Sequence, residues 1–257
     1  MTGILKDEPH NLLAVIPARW GSSRFPGKPL VLIQGIPMVV RVYQRVASHI
    51  RNVVIATDDE RIALEANRFG AEVVLTSPHH PNGTSRCAEA AKNYSALRQV
   101  RFDWVINVQG DEPLIDPIDL DTLAGLISRP GVEIATLVKA ETSQAIIKNP
   151  NRVKVVLDRQ GYALYFSRLP VPFIRQPLPG GFTPVFHTHV GVYAFKTDTL
   201  ERIATLPTGP AAITESLEQL AWMEHGYRIL CGLTGSESFG VDTPEDLEEL
   251  LKSGLIL

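Results

Sequence analysis

Three cations, Arg19, Arg24 and Lys28, fall within ten residues of the stretch IPARWGSSRFPGKPL. Guanidinium groups fork onto phosphate oxygens, and a lysine supplies a compact positive charge. Ser22 and Ser23 add hydroxyl donors, and Gly21 and Gly27 let the backbone approach a ligand closely. The chain as a whole carries a formal net charge of −3, so this loop is a local cluster set against the global balance. A polyphosphate is the guest it suits. The plain alternative is that the cations are solvated and the glycines only turn the chain. Two familiar phosphate-binding patterns are missing. Five residues separate Gly21 from Gly27, and Lys28 is followed by Pro29, which breaks the Walker arrangement; no G-x-G-x-x-G follows the first apolar run either.

Two acidic segments offer the complementary chemistry. In NVQGDEP, the apolar run Trp104–Val108 delivers Gln109, Gly110, Asp111 and Glu112 at its carboxyl end, with no helix start next to Asp111. In FGVDTPED, Val241 precedes Asp242, and Thr243-Pro244-Glu245 opens a helix. Taken alone, Asp242 also reads as an ordinary helix cap with Glu245 in capping-box position. If the two segments neighbour each other, Asp111 and Asp242 bracket a magnesium ion, which favours one or two carboxylates completed by water and phosphate oxygens. The two residues are 131 positions apart, so only the fold can bring them together.

The elements that would do so can be read from periodicity. Short apolar runs at 12–16, 53–56, 73–75, 104–108 and 134–138 alternate with helical patterns opening at Pro37, at Asp58 or Asp59, near Ala88 and at Asp116. That alternation predicts an α/β, doubly wound, mostly parallel sheet with helices on both faces. Ligands in such sheets bind at the carboxyl ends of strands, where the cationic loop and Asp111 both fall. After residue 140 the pattern changes. VKVVLDRQGYALYF reads as a hairpin, 169–184 as a Pro-rich loop and 190–195 as a strand, so 140–196 is expected to be a β-rich inserted lobe. A late strand at 227–233 and a helix at 244–251 close a single domain, 12–257.

Composition narrows the class. The chain has 257 residues, 44% hydrophobic and 21% charged, which fits a globular protein. Two cysteines, Cys87 and Cys231, exclude a disulfide scaffold and a cysteine metal cluster. The acidic balance disfavours nucleic-acid binding, and no apolar run reaches membrane-span length. Residues 1–11 carry Asp7 and Glu8 and lack the apolar core of a signal peptide, so they read as a flexible tail and the expected compartment is the cytoplasm.

The motifs IPARWGSSRFPGKPL, ATDDE, NGTSR, NVQGDEP, VKVVLD, GYALYFSR, HVGVYAF, ESLEQL and VDTPEDLE occur in this order. Together they resemble the 3-deoxy-manno-octulosonate cytidylyltransferase (CMP-Kdo synthetase) family, over nearly the whole chain from Leu12 to Leu250. The resemblance implies a nucleotide-diphospho-sugar transferase-like fold and a magnesium-dependent reaction of CTP with Kdo to give CMP-Kdo and pyrophosphate. It also implies a cytoplasmic homodimer, with the inserted lobe in the dimer contact, serving lipopolysaccharide synthesis. Carried over by motif, Arg19, Gly21, Ser22, Arg24 and Lys28 grip the triphosphate. Gly83, Thr84 and Gln109, with the backbone at Pro17 and Ala18, line the cytidine pocket. Asp111 and Asp242 hold magnesium, and Arg168, His189, Tyr193, Glu218 and Gln219 face the sugar acid. Arg168 is expected to receive the sugar carboxylate as a fork, whereas His189 also fits a plain structural role.

This chain departs from the family pattern in places. Ser85 stands where the family has an acidic residue, Thr188 where it commonly has Lys or Arg, and Ser216 and Ala221 replace a Lys and an Arg. Fewer cations there point to a shifted sugar preference, such as an amino-substituted Kdo; a transferase for another sugar acid, of the sialic-acid type, is a separate alternative. A catalytically silent nucleotide-binding homologue is the third reading; retention of Arg19, Lys28, Asp111 and Asp242 argues against it.

Overall fold

The computed structural model describes residues 11–21, 25–176, 185–236 and 239–254. The apolar run after Asn11 forms β1 (Leu12–Ala18), almost wholly buried, as a strand covered on both faces requires. Helix α1 (Met38–Ala47) follows and buries the stripe Val39, Val42 and Val46. Next come β2 (Val53–Thr57), α2 (Glu60–Arg68) and β3 (Val73–Leu75). Asp59, not Asp58, caps α2 by accepting from the Arg61 amide. Then follow α3 (Gly83–Arg98), β4 (Trp104–Asn107), α4 (Pro117–Ile127) and β5 (Ile134–Glu141).

The second half brings α5 (Gln144–Lys148), β6 (Lys154–Leu157), β7 (Ala163–Ser167) and the long β8 (Phe186–Lys196). Three short helices, α6 (Thr197–Ile203), α7 (Pro210–Glu215) and α8 (Glu218–Glu224), precede β9 (Ile229–Thr234) and α9 (Pro244–Lys252). No helix among the described residues is long and apolar enough to cross a membrane.

The sheet order is β9-β5-β8-β4-β1-β2-β3, with β6 on the outer part of β8 and β7 beyond it. β1 runs parallel to both β2 and β4, and β9 runs parallel to β5. β8 lies antiparallel between β4 and β5. The sheet is therefore mostly parallel, as expected. The segment 140–196 is continuous with it: β6 and β7 pair as the hairpin, but the last strand of the segment runs through the middle of the sheet.

Alternation along β1 feeds two cores. Leu12, Ala14 and Ile16 face α1 and α4, while Leu13 and Val15 face α3, α6 and α8. A small third cluster of Ile33, Met38, Val241 and Leu250 fastens the approach to α9 against the segment before α1.

Candidate active site

The expected loop before Ala88 is shorter than its sequence suggests. The Asn82 side chain accepts from the Ser85 amide at 2.9 Å, so α3 starts at Gly83 and its first turn faces the end of β1. Polar residues in a first turn weaken the periodic signal, but the cap stabilises the start. Ser85 turns inward here: its hydroxyl donates to the Asn82 carbonyl at 3.1 Å.

Across the carboxyl ends of β1 and β4 lies a cleft of about 280 Å³. Pro17, Ala18 and Arg19 line it from β1, Lys28 from the cationic loop and Gly83 from α3. Gln109 and Asp111 enter from the turn after β4, and Asp242 from the approach to α9. These eight residues are the expected ones, now gathered around one space. Gly110 makes the close approach possible: a Cβ there would sit 2.9 Å from the Pro17 carbonyl oxygen.

The two carboxylates meet. Lys28 Nζ donates to Asp111 Oδ2 at 2.6 Å and to Asp242 Oδ1 at 3.1 Å. Capping of α9 falls instead to Thr243, which accepts from the Asp246 amide at 3.2 Å. Asp246, not Glu245, completes the box by accepting from the amides of Asp242 and Thr243 at 2.9 and 2.8 Å. The ordinary reading of Asp242 as the cap is thereby replaced.

The neck of the cationic loop is braced. The Gly27 amide donates to the Trp20 carbonyl at 3.2 Å, and Gly27, at φ +72°, faces the Trp20 ring so closely that a Cβ there would lie 3.1 Å from it. The Arg61 guanidinium carbon lies 3.5 Å from the centre of that ring, and Asp59 accepts from Arg61 Nε at 2.9 Å and from its terminal nitrogen at 2.6 Å. Ser22 and Arg24 lie outside the described residues. Gly21 is exposed and has nothing within contact distance of its Cβ direction.

Besides the apolar Pro29 and Met38, three polar cleft residues escaped the sequence reading. His80 bonds through Nε2 to Glu89, whose carboxylate also accepts from the Ser77 amide at 3.0 Å. Burial pushes the Glu89 carboxyl up, but the Ser77 and His80 bonds outweigh it and leave it below the usual range. Arg86 is buried, donating to Thr76 Oγ1 at 2.6 Å and pairing with Asp58 at 3.1 Å, and Asn82 is the cap itself. The signal was available in the sequence: a histidine and a cap residue sit just before a glycine-initiated helix.

The expected sugar residues divide. Tyr193 on β8 packs edge-on against Trp222 of α8, with ring centres 5.2 Å apart, and His189 lies 5.1 Å from Tyr193. Gln219 is buried at the start of α8, and the half-buried Glu218 before it turns one carboxylate oxygen into the interior. Burial raises the Glu218 pKa to about 7, and the Thr84 hydroxyl beside it offsets this only in part. Thr84 thus faces the interior while its neighbour Gly83 lines the cleft, so the cleft and this buried polar group share the first turn of α3. The Tyr193 hydroxyl, Glu218 Oε2 and both amide atoms of Asn107 are buried with no hydrogen-bond partner among the described residues. His189 Nε2 bonds Thr136 Oγ1 at 2.9 Å, and burial lowers the ring pKa to about 3, which keeps it neutral.

Arg168 stands apart from the cleft. Its guanidinium donates to the carbonyls of Glu215, Pro150 and Ser216 at 2.7, 3.0 and 3.2 Å. The fully buried Lys154 also holds the Arg168 carbonyl. The expected fork onto a sugar carboxylate is in this structure spent on backbone oxygens.

The family model described as Cytidylyltransferase matches residues 13–229. The chain belongs to the cytidylyltransferase family. It is a nucleotidyltransferase enzyme, and its cytidylyltransferase relatives match over nearly full length. A 3-deoxy-manno-octulosonate cytidylyltransferase from Cytophaga hutchinsonii is 47% identical over 242 residues, covering 92% of this chain and 95% of its own. An 8-amino-3,8-dideoxy-manno-octulosonate cytidylyltransferase from a Shewanella species is 46% identical over 243 residues, covering 93% and 96%. A solved CMP:2-keto-3-deoxy-manno-octonic acid synthetase complexed with CTP is 39% identical with a TM-score of 0.84, over 95% of this chain and 98% of that one.

Proposed function

We propose that this cytidylyltransferase transfers CMP from CTP to the anomeric hydroxyl of Kdo, releasing pyrophosphate. The observation that carries the reading is the convergence of Lys28, Asp111 and Asp242 at one end of the cleft, with Arg19 on its wall. The hydroxyl oxygen of the sugar acid forms the new bond to the α-phosphorus. The bond from that phosphorus to the bridging oxygen breaks, pyrophosphate leaves with the electron pair, and the hydroxyl proton passes to solvent. Such transfers depend on positioning and on stabilising charge.

Magnesium fits the donor set. Both carboxylates reach one cation, Lys28, so their oxygens face a common point. No group of three or more metal-ligating side chains exists among the described residues, and magnesium needs no more than one or two carboxylates with phosphate oxygens and water. Asp111 and Asp242 would hold it. When bound it would lower the repulsion between the sugar carboxylate and the phosphates. The chain's own groups supply the rest: Arg19 and Lys28 bind phosphate oxygens, Gly83 and Gln109 shape the base pocket, and Tyr193, Glu218 and Gln219 serve the sugar acid.

Two further features belong to this reading. Leu164, Tyr165, Leu169, Phe173 and Ile174 are exposed on the 140–196 segment, an apolar surface suited to a homodimer contact. A cytoplasmic place in lipopolysaccharide precursor synthesis follows from the proposed product.

A second reading, an 8-amino-Kdo substrate, is favoured by the near-equal identity to the Shewanella relative. Pyrophosphate release from CTP, UTP or ATP with Kdo, 8-amino-Kdo and a sialic acid tests both. The highest kcat/KM with CTP and Kdo supports the first reading; preference for the amino sugar replaces it; no release with any sugar acid sinks both.

A further inference from the structure

We propose that Lys28 is a placeholder cation: its ammonium occupies the metal-holding carboxylates until a triphosphate draws it away, so that metal and nucleotide load together. The inference rests on the reading of Asp111 and Asp242 as metal ligands.

The geometry is specific. Lys28 Nζ bonds one oxygen of each carboxylate, at 2.6 and 3.1 Å, and its side chain is only 12% exposed, against 29% and 46% for the two acids. A divalent ion held by those carboxylates competes for the same oxygens, and two cations at that spacing repel. The backbone of Lys28 is fixed. Its amide donates to the Phe25 carbonyl at 3.2 Å, its carbonyl accepts from Val31 at 3.2 Å, and Leu30 bonds back to Gly27 at 2.9 Å. Pro29 next to it locks one dihedral angle. Only the flexible four-carbon arm can move, and it emerges from the loop that carries the other phosphate-binding cations. A triphosphate offers that arm a denser negative charge than the two carboxylates. Once the ammonium turns to the phosphates, the carboxylates are open to the metal. Metal and nucleotide each strengthen the other's binding, by the same factor in both directions.

The test is manganese(II) binding to the nucleotide-free protein, titrated by electron paramagnetic resonance. Lys28→Met is expected to bind the ion about tenfold more tightly than wild type. Adding Asp111→Asn to either background abolishes that binding. Equal affinity in wild type and Lys28→Met, with Asp111→Asn still abolishing binding, overturns the placeholder role and leaves the metal site intact. Binding that survives both Asp111→Asn and Asp242→Asn overturns the metal assignment itself, and this inference with it.

A second readout uses CTP binding with all metal chelated. Asp111→Asn releases the ammonium and tightens CTP, and most of that gain disappears in Lys28→Met/Asp111→Asn. A gain undiminished in the double variant is charge repulsion alone and contradicts the proposal.

Discussion

The amide of Val241 donates to the carbonyl of Asp111 at 2.9 Å. This one backbone bond ties the turn after β4 to the approach to α9, and so sets Asp242 beside Asp111 across 131 positions of chain. The Thr243–Asp246 capping box fixes the other side of Asp242.

Asp111→Ala and Asp242→Ala are each expected to cut turnover about a hundredfold or more, because under the proposed function each removes one of the two carboxylates that hold the metal beside the reacting phosphates. Thermal unfolding should stay within a few degrees of wild type, since neither residue belongs to the hydrophobic core. Wild-type rates of pyrophosphate release in either variant would contradict the site.

Asp246→Ala separates capping from chemistry. It should cost about 1 kcal/mol of stability by loosening the start of α9. Through the loss of its bond to the Asp242 amide, it should also lower kcat/KM. An unchanged kcat/KM would show that Asp242 is placed without the cap.

Gly110→Ala places a Cβ 2.9 Å from the Pro17 carbonyl oxygen, nearer than real side chains come. The end of β1 and the turn bearing Asp111 have to part. A destabilisation of about 1–3 kcal/mol is expected, with a raised KM for CTP. Denaturant unfolding and steady-state kinetics check the two effects, and a silent substitution would show the turn to be looser than its geometry.

Trp20→Ala removes the ring held between Gly27 and Arg61. The loop keeps its cations but loses the brace at its neck. The KM for CTP should rise several-fold while the KM for the sugar acid stays near wild type, and Trp20→Phe should recover most of the difference. Equal changes in both KM values would mean the ring supports the whole fold rather than the loop.

Two buried groups tilt stability against pH in opposite directions. Glu218 titrates near 7 in the fold against 4.5 for a free carboxyl, so the folded state holds the proton longer and stability falls as pH rises from about 4.5 to 7. His189 titrates near 3 against 6.5, so the unfolded state takes the proton first and stability rises with pH from about 3 to 6.5. Where the windows overlap, the slopes oppose. Glu218→Gln should therefore expose a rising slope between pH 4.5 and 6.5, and His189→Asn a falling one. Urea unfolding across that range tests both; identical slopes in wild type and variants would refute the burial argument.

Much of this was legible in the sequence because burial and strand ends leave strong marks. The run Leu12–Ile16 reads as a covered parallel strand and is one, and the carboxyl ends of β1 and β4 deliver Arg19 and Asp111 to one cleft. What escaped were competitions between nearby polar groups. Asp242 and Thr243 are both good caps, and only the fold shows that Thr243 takes the role. Arg168 resembles a ligand fork, but carbonyls exposed where α7 ends compete for it. The turn Gln34-Gly35, which joins the two-residue strands Leu32–Ile33 and Ile36–Pro37, passed unnoticed because so short a hairpin has no periodicity.

The position of β8 bears on how a growing chain becomes active. Within the sheet of described strands, β1 to β4 are hydrogen-bonded to β5 and β9 through β8, which arrives after residue 185. During synthesis on the ribosome the two halves stay unjoined until that strand emerges, and Asp242 follows still later. Nascent chains released before Asp242 can carry the cationic loop and Asp111, but they lack the second carboxylate and so cannot complete the charge cluster that Lys28, Asp111 and Asp242 form.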